Sequence, residues 1–141
     1  MEGQPLFANN FRVLFEGVEV GISEISPLTS ETGSSASDER GEPCYRSVVL
    51  RRALTGSREL YRWREQVHAG RAAERSVHIR HYDSTGELLV NAWELEGAWP
   101  CRWSGPALDA TAEETIAYEE LELAYARLVW HDESHGQGAE R

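Results

Sequence analysis

"AWPCRWSGPALDA", residues 98–110, decides how this chain folds. Trp99 and Trp103 alternate onto one face of a strand, with Cys101 turned differently, alongside Pro100 or Arg102. Gly105-Pro106 then reads as a turn that stops the strand and sends the chain toward its last one. The competing reading makes Cys101 a reactive thiol in a pocket. That chemistry needs a thiolate, and so a histidine, a cation or a helix N-terminus beside the sulfur. Arg102 is adjacent in sequence, but neighbours along a strand point to opposite faces. The stretch therefore reads as architecture, with Cys101 a packed strand residue.

The same alternation recurs on both sides. "NFRVLFE" places Phe11, Val13 and Phe15 on one face, Gly17 breaks it, and "VEVGISEIS" reads as the hairpin partner with Val20 and Ile22 inward. "YRSVVLRRA" (45–53) is a third strand. "RSVHIRHYD" alternates through Val77 and Ile79, and "STGE" turns it into the long partner "LLVNAWELEGAW". One stretch has a different period. In "RELYRWREQVHAG", Leu60, Trp63 and Val67 fall at i, i+3 and i+7, with Arg58, Arg62, Glu65 and Gln66 facing water. Ser57 is its expected N-cap, Glu59 suits the positive end of the helix dipole, and Gly70 is the expected C′ residue. "ETIAYEELELAYARLVW" changes parity between Tyr118 and Leu121, which predicts a β-bulge near Glu119-Glu120.

These patterns predict a mainly β (α+β) chain: an antiparallel β-sandwich or barrel-like domain with one packed helix. Its expected core anchors are Phe11, Val13, Phe15, Leu60, Trp63, Val67, Trp99 and Trp103. At 141 residues the expectation is a single domain over 1–141, with a core over 10–130. A long Ser-, Gly- and acid-rich loop is expected at 27–44 and a flexible tail at 131–141.

Charge excludes several functions. The net charge is −10, against a surface built to grip nucleic acid. All 14 basic residues are arginine. Without lysine, a Walker phosphate loop or a Schiff base has no amine. Two cysteines, Cys44 and Cys101, suggest no disulfide framework, so reduced thiols are expected. "MEGQPLFANN" lacks the pattern of a signal peptide, and no apolar run is long enough to span a bilayer, so no membrane segment and folding in the cytoplasm are expected. His131 and His135 stand at i, i+4 without a third ligand; His78 and His81 fall on opposite faces of a strand. The carboxylate pairs Glu113-Glu114 and Glu119-Glu120 read as an exposed acidic edge. No enzyme activity, catalytic residue, cofactor or metal is expected.

The charges are also segregated. Nine arginines lie between Arg46 and Arg80, while Asp109 to Glu122 holds six acids and no base. Such a chain can present complementary patches to copies of itself.

"NFRVLFEGVEVGISEIS", "VVLRRALTGSRELYRWREQV" and "VHIRHYDSTGELLVNAWELEGAWPCRWSGPALDATAEETIAYEELELAY" stand in an order that resembles the inner tail-tube proteins of contractile phage tails and bacterial contractile injection systems. The likeness runs collinearly over residues 10–128, and "LTGSRELYRW" and "AWPCRWSGPALDATAEETIAYEELELAY" are its most specific pieces. The resemblance implies homohexameric rings closed by a continuous β-barrel around a lumen. Rings stack into a tube that meets sheath and baseplate proteins and passes cargo. Subunit contacts are then expected at Glu31, Asp38, Glu39, Arg40, Arg51, Arg52, Glu119, Glu120 and Glu122. Where the family carries a longer arm, this chain has the Ser-rich 27–44 stretch. That departure raises the alternative of a tube-initiating ring at the baseplate. A small monomeric ligand-binding β-barrel and a cysteine enzyme are the remaining alternatives.

Overall fold

The computed structural model describes residues 5–30, 46–70 and 74–131. Among them run β1 (Phe11–Phe15), β2 (Val18–Val20), β3 (Glu24–Ile25), β4 (Ser47–Ala53), α1 (Glu59–His68), β5 (Arg75–Tyr82), β6 (Leu89–Ser104), β7 (Tyr118–Ala124) and β8 (Arg127–His131). All strand pairs are antiparallel. One sheet is β2-β1-β5-β6-β8 and the other is β6-β7-β4-β3, so β6 belongs to both. Val13, Phe15, Val77, Ile79 and Leu95 from the first sheet join Val48, Leu50, Leu121 and Leu123 from the second in one core.

The β1–β2 hairpin closes on Glu16 and Gly17, at φ 50° and 88°. Two successive positive φ values give the turn whose twist matches that of the strands it joins. The pairing of β1 continues only through Val20. The chain then crosses to the second sheet, where Glu24 and Ile25 pair with Arg51 and Leu50. The expected hairpin partner is thus shared between two sheets, with Val20 buried and Ile22 packed at the core's edge.

β6 carries three irregularities, one near its start between His81↔Asn91 and Tyr82↔Leu89, and two where it crosses between the sheets. Its register with β5 shifts between Val77↔Leu95 and Arg75↔Ala98, beside Gly97 at φ 63°. Its register with β7 shifts between Pro100↔Leu123 and Arg102↔Glu122, leaving Cys101 as the extra residue. A bulge flips every later side chain. Trp99 opposes Ala124 and Trp103 opposes Leu121, so the two tryptophans lie on opposite faces, not on the shared face their spacing suggested. The bulge expected at Glu119-Glu120 is absent, because β7 pairs with β4 in unbroken register from Tyr118 to Ala124. The parity change has a simpler cause. Residues 114–117 are outside any strand, and the chain leaves β7 after Ala124 to begin β8. Gly105-Pro106 likewise opens a loop over residues 105–117 instead of a tight turn.

Helix α1 buries Leu60, Trp63 and Val67, each contributing on the order of 1.5–3 kcal/mol by leaving water. Trp63 meets Phe15 of β1 with ring centroids 5.0 Å apart, and Tyr61 meets Trp103 of β6 at 5.1 Å. The N-cap position falls on Arg58, one residue later than expected. Ser57 still serves the helix start, its hydroxyl accepting the Glu59 N–H at 3.4 Å. Gly70, at φ 85°, ends the helix by donating its N–H to the Val67 carbonyl at 2.9 Å. Val13, Phe15, Leu60, Trp63, Val67 and Trp99 are buried, while Phe11 and Trp103 pack half-buried at the core's margin.

Candidate self-assembly surface

Among the described residues, β2, β3 and β8 each pair along one side only. Unpaired strand edges offer rows of N–H and C=O groups to another chain unless something blunts or closes them. A self-assembling subunit would use such edges together with the charged face between them.

That face is the outer side of the second sheet. Cross-strand partners share a face, so the register Glu24↔Arg51↔Glu120 sets these three side chains in one row. Arg51 Nη1 lies 3.2 Å from Glu24 and its Nε 3.7 Å from Glu120. Its guanidinium sits 4.0 Å over the Tyr118 ring. One row along, Glu122 accepts the Ser47 hydroxyl at 2.6 Å and pairs with exposed Arg102. The exposed pairs of Arg51 with Glu24 and Glu120 add about 0–1 kcal/mol each to a subunit, because water and salt screen them. They remain free to exchange partners with another copy.

One residue out of phase, the same two strands bury a charge pair. Arg52 is 8% exposed and Glu119 1%. Arg52 Nε donates to Glu119 Oε2 at 2.8 Å, and Trp103 Nε1 donates to Glu119 Oε1 at 2.8 Å. Arg52 Nη1 reaches Glu59 of the helix at 3.5 Å, whereas its Nη2 is buried without an acceptor. This network ties β4, β6, β7 and α1 together from the inside. Of the charged residues expected at subunit contacts, Arg51, Glu120 and Glu122 stand on the outer face. Arg52 and Glu119 turn inward because Arg51-Arg52 and Glu119-Glu120 straddle two faces of paired strands. Glu31, Asp38, Glu39 and Arg40 lie outside the described residues. Glu24 and Arg102 complete the outer face unforeseen; only the register reveals them.

Among the described residues no group of three His, Cys, Asp or Glu side chains is arranged to hold a metal ion. Instead Glu94 gathers His131 Nε2 at 2.9 Å, His78 Nε2 at 3.7 Å and the Ser76 hydroxyl at 2.9 Å. Burial raises the Glu94 carboxyl, but hydrogen bonds from His131 and Ser76 and the charges of His78 and His131 outweigh it. The net effect holds it below the usual carboxylate range. His81 is engaged elsewhere, its Nε2 donating to the Phe7 carbonyl at 2.7 Å. His135 lies outside the described residues. Cys101 is held in a disulfide, which corrects the expected reduced thiol and removes the thiolate that a nucleophile needs. A cysteine count alone cannot distinguish the two states, and Cys44 lies outside the described residues.

Open edges and a charged outer face on a β-rich subunit are features of proteins that work by assembling. The family model of the T4-like virus tail tube protein gp19 matches residues 7–129. The chain belongs to this tail tube family. Solved structures of the same fold include a chain of the sheath–tube complex of an extracellular contractile injection system, PVC, in the extended state. It is 20% identical, with a TM-score of 0.74, over 92% of this chain and 93% of that one. A chain of the PVC sheath/tube terminator is 19% identical, with a TM-score of 0.77, over 94% and 100%. A chain of the six-fold symmetrised anti-feeding prophage baseplate is 23% identical, with a TM-score of 0.71, over 92% and 97%. Among curated proteins none matches the sequence. The structural likenesses concern the fold, and the tail tube family match concerns the chain itself.

Proposed function

We propose that this protein is the structural subunit of the inner tube of a contractile injection system or phage-tail-like particle. Six copies close into a ring, and rings stack into a hollow cylinder inside a sheath, seated on a baseplate, with cargo in the channel. The observation that carries the reading is the tail tube family match across residues 7–129. The open edges of β2, β3 and β8 support it, since ring closure pairs edges that a monomer leaves unprotected. The work is done by shape and self-contact, without catalysis, and assembly takes place in the bacterial cytoplasm. Arg51, Glu120 and Glu122 are the charged side chains of this chain we place at subunit contacts.

Negative-stain microscopy of the purified protein tests this. Six-fold rings or tubes are expected. A monomer at every concentration, absent from purified particles, would overturn it. A second reading, a tube-initiating ring at the baseplate, is favoured by the likeness to the baseplate chain. An initiator forms single rings and no long tubes unless a second tube protein is added.

A further inference from the structure

We infer that a basic row on the outer face of the first sheet is the docking surface for the acidic loop 107–116 of a second copy of this chain. The inference rests on the tube reading for its partner, and on the strand register for its residues. Arg12 of β1 stands directly opposite Arg80 of β5, Arg80 opposite Ala92 of β6, and Ala92 opposite His131 of β8. The neighbouring row on the same face is Glu19, Leu14, His78, Glu94 and Val129. The two rows thus hold Arg12, Arg80, His78 and His131 against two acids, Glu94 and, on the edge strand β2, Glu19. Glu94 is already engaged by Ser76, His131 and His78, and Glu19 lies at the sheet edge, two strands from Arg80.

Neither Arg12 nor Arg80 makes an ion pair among the described residues. Like charges directly opposite each other across two strands repel. Among the described residues, the contact that steadies Arg12 is the Tyr82 ring, 4.9 Å below its guanidinium. The isolated subunit therefore carries a repulsion that an outside anion relieves.

The chain itself supplies that anion. Residues 107–116 are exposed throughout and carry Asp109, Glu113 and Glu114 with no base. None of the three makes an ion pair among the described residues. Leu108 is 82% exposed and Ile116 59%, so the loop also offers apolar surface that its own subunit leaves in water. The loop has fixed shape near Leu108. Asp109 accepts the Thr111 N–H at 3.0 Å and its hydroxyl at 2.8 Å, and the Asp109 carbonyl accepts the Ala112 N–H at 3.1 Å.

Position makes the contact intermolecular. The basic row crosses β6 at Ala92, near its start, and the acidic loop follows Ser104, its end. Patches at the two ends of the longest strand meet head to tail between copies, the kind of contact that builds rings or stacks. The helix arginines Arg58 and Arg62 are poorer partners, because Glu59 and Glu65 share their surface.

Charge reversal tests this on the full-length protein. Arg80→Glu alone, and Glu113→Arg with Glu114→Arg alone, are each expected to weaken self-association by at least about tenfold, read by sedimentation and microscopy. Combining all three reversals in one chain is expected to restore it. Arg80→Glu is also expected to melt no lower than the original, since it replaces a repulsion with an attraction to Arg12. If Arg80→Glu fails to fold, the loop variant, altered only at exposed positions, carries the test. Loss of rings, or of stacking with rings intact, supports the contact. Unchanged assembly in either reversal, or a combined variant as defective as its parents, overturns the contact and leaves the tube reading standing. An original protein that never assembles overturns both.

Discussion

Glu119→Ala is expected to destabilise the subunit by about 3–5 kcal/mol, the usual cost of orphaning one member of a buried ion pair. The structure says why the cost is high here. Arg52 loses its 2.8 Å acceptor while its Nη2 already has none, and its remaining acid, Glu59, is half-exposed and 3.5 Å away. Trp103 Nε1 loses its acceptor as well, worth about 1 kcal/mol more. Replacing both charges is a different experiment. Arg52→Met with Glu119→Leu removes the desolvated charges together, and the double variant is expected to stand within about 1 kcal/mol of the original, or above it. Urea unfolding of the original, Arg52→Met, Glu119→Leu and the double variant, at concentrations where the protein is dissociated and followed by tryptophan fluorescence, yields the four corners of a double-mutant cycle, with Glu119→Ala measured beside them. A cost below about 1 kcal/mol for Glu119→Ala would refute the reasoning. So would a double variant whose loss equals the sum of the singles.

Acid is expected to unfold the subunit through three carboxyls held below their ordinary range. The Thr85 hydroxyl is the main cause at Asp83, and the Thr111 N–H at Asp109. At Glu94, burial acts upward but is outweighed by His131, Ser76 and His78. Each folded pKa lies below its unfolded value. The stability they contribute is therefore complete above about pH 4–5 and lost as pH falls through the lowered folded values. Urea midpoints against pH should show this, and Asp83→Asn should flatten the acid limb. Gly97→Ala is expected to cost about 1–2 kcal/mol, because φ is 63° there and the new methyl meets Ala126 Cβ at 3.4 Å. An unchanged urea midpoint would show that β6 can bend without glycine.

Much of the fold was legible where a single period held. Phe11-Val13-Phe15 and Val77-Ile79 announced strands, and Leu60-Trp63-Val67 announced the one helix. Reading failed where two periods joined. The bulges beside Gly97 and at Cys101 each insert one residue, and no local pattern marks an insertion whose meaning lies in the partner strand. Trp99 and Trp103 were thus placed on one face. The candidate surface was half legible for a related reason. Doublets such as Arg51-Arg52 and Glu119-Glu120 show that charge is present, but only pairing decides which member faces out. Arg12 and Arg80, far apart in sequence, become neighbours only through the β1–β5 register. The state of Cys101 was hidden because a count of two thiols carries no geometry.

Because β6 runs through both sheets without a break, the two layers share one covalent spine. Neither can slide past or peel from the other unless that strand is itself torn out of both sets of pairings. An axial thrust entering at one end of the subunit therefore travels along bonded backbone instead of shearing a seam between layers. Amide exchange along residues 89–104 should accordingly slow and release as a single block.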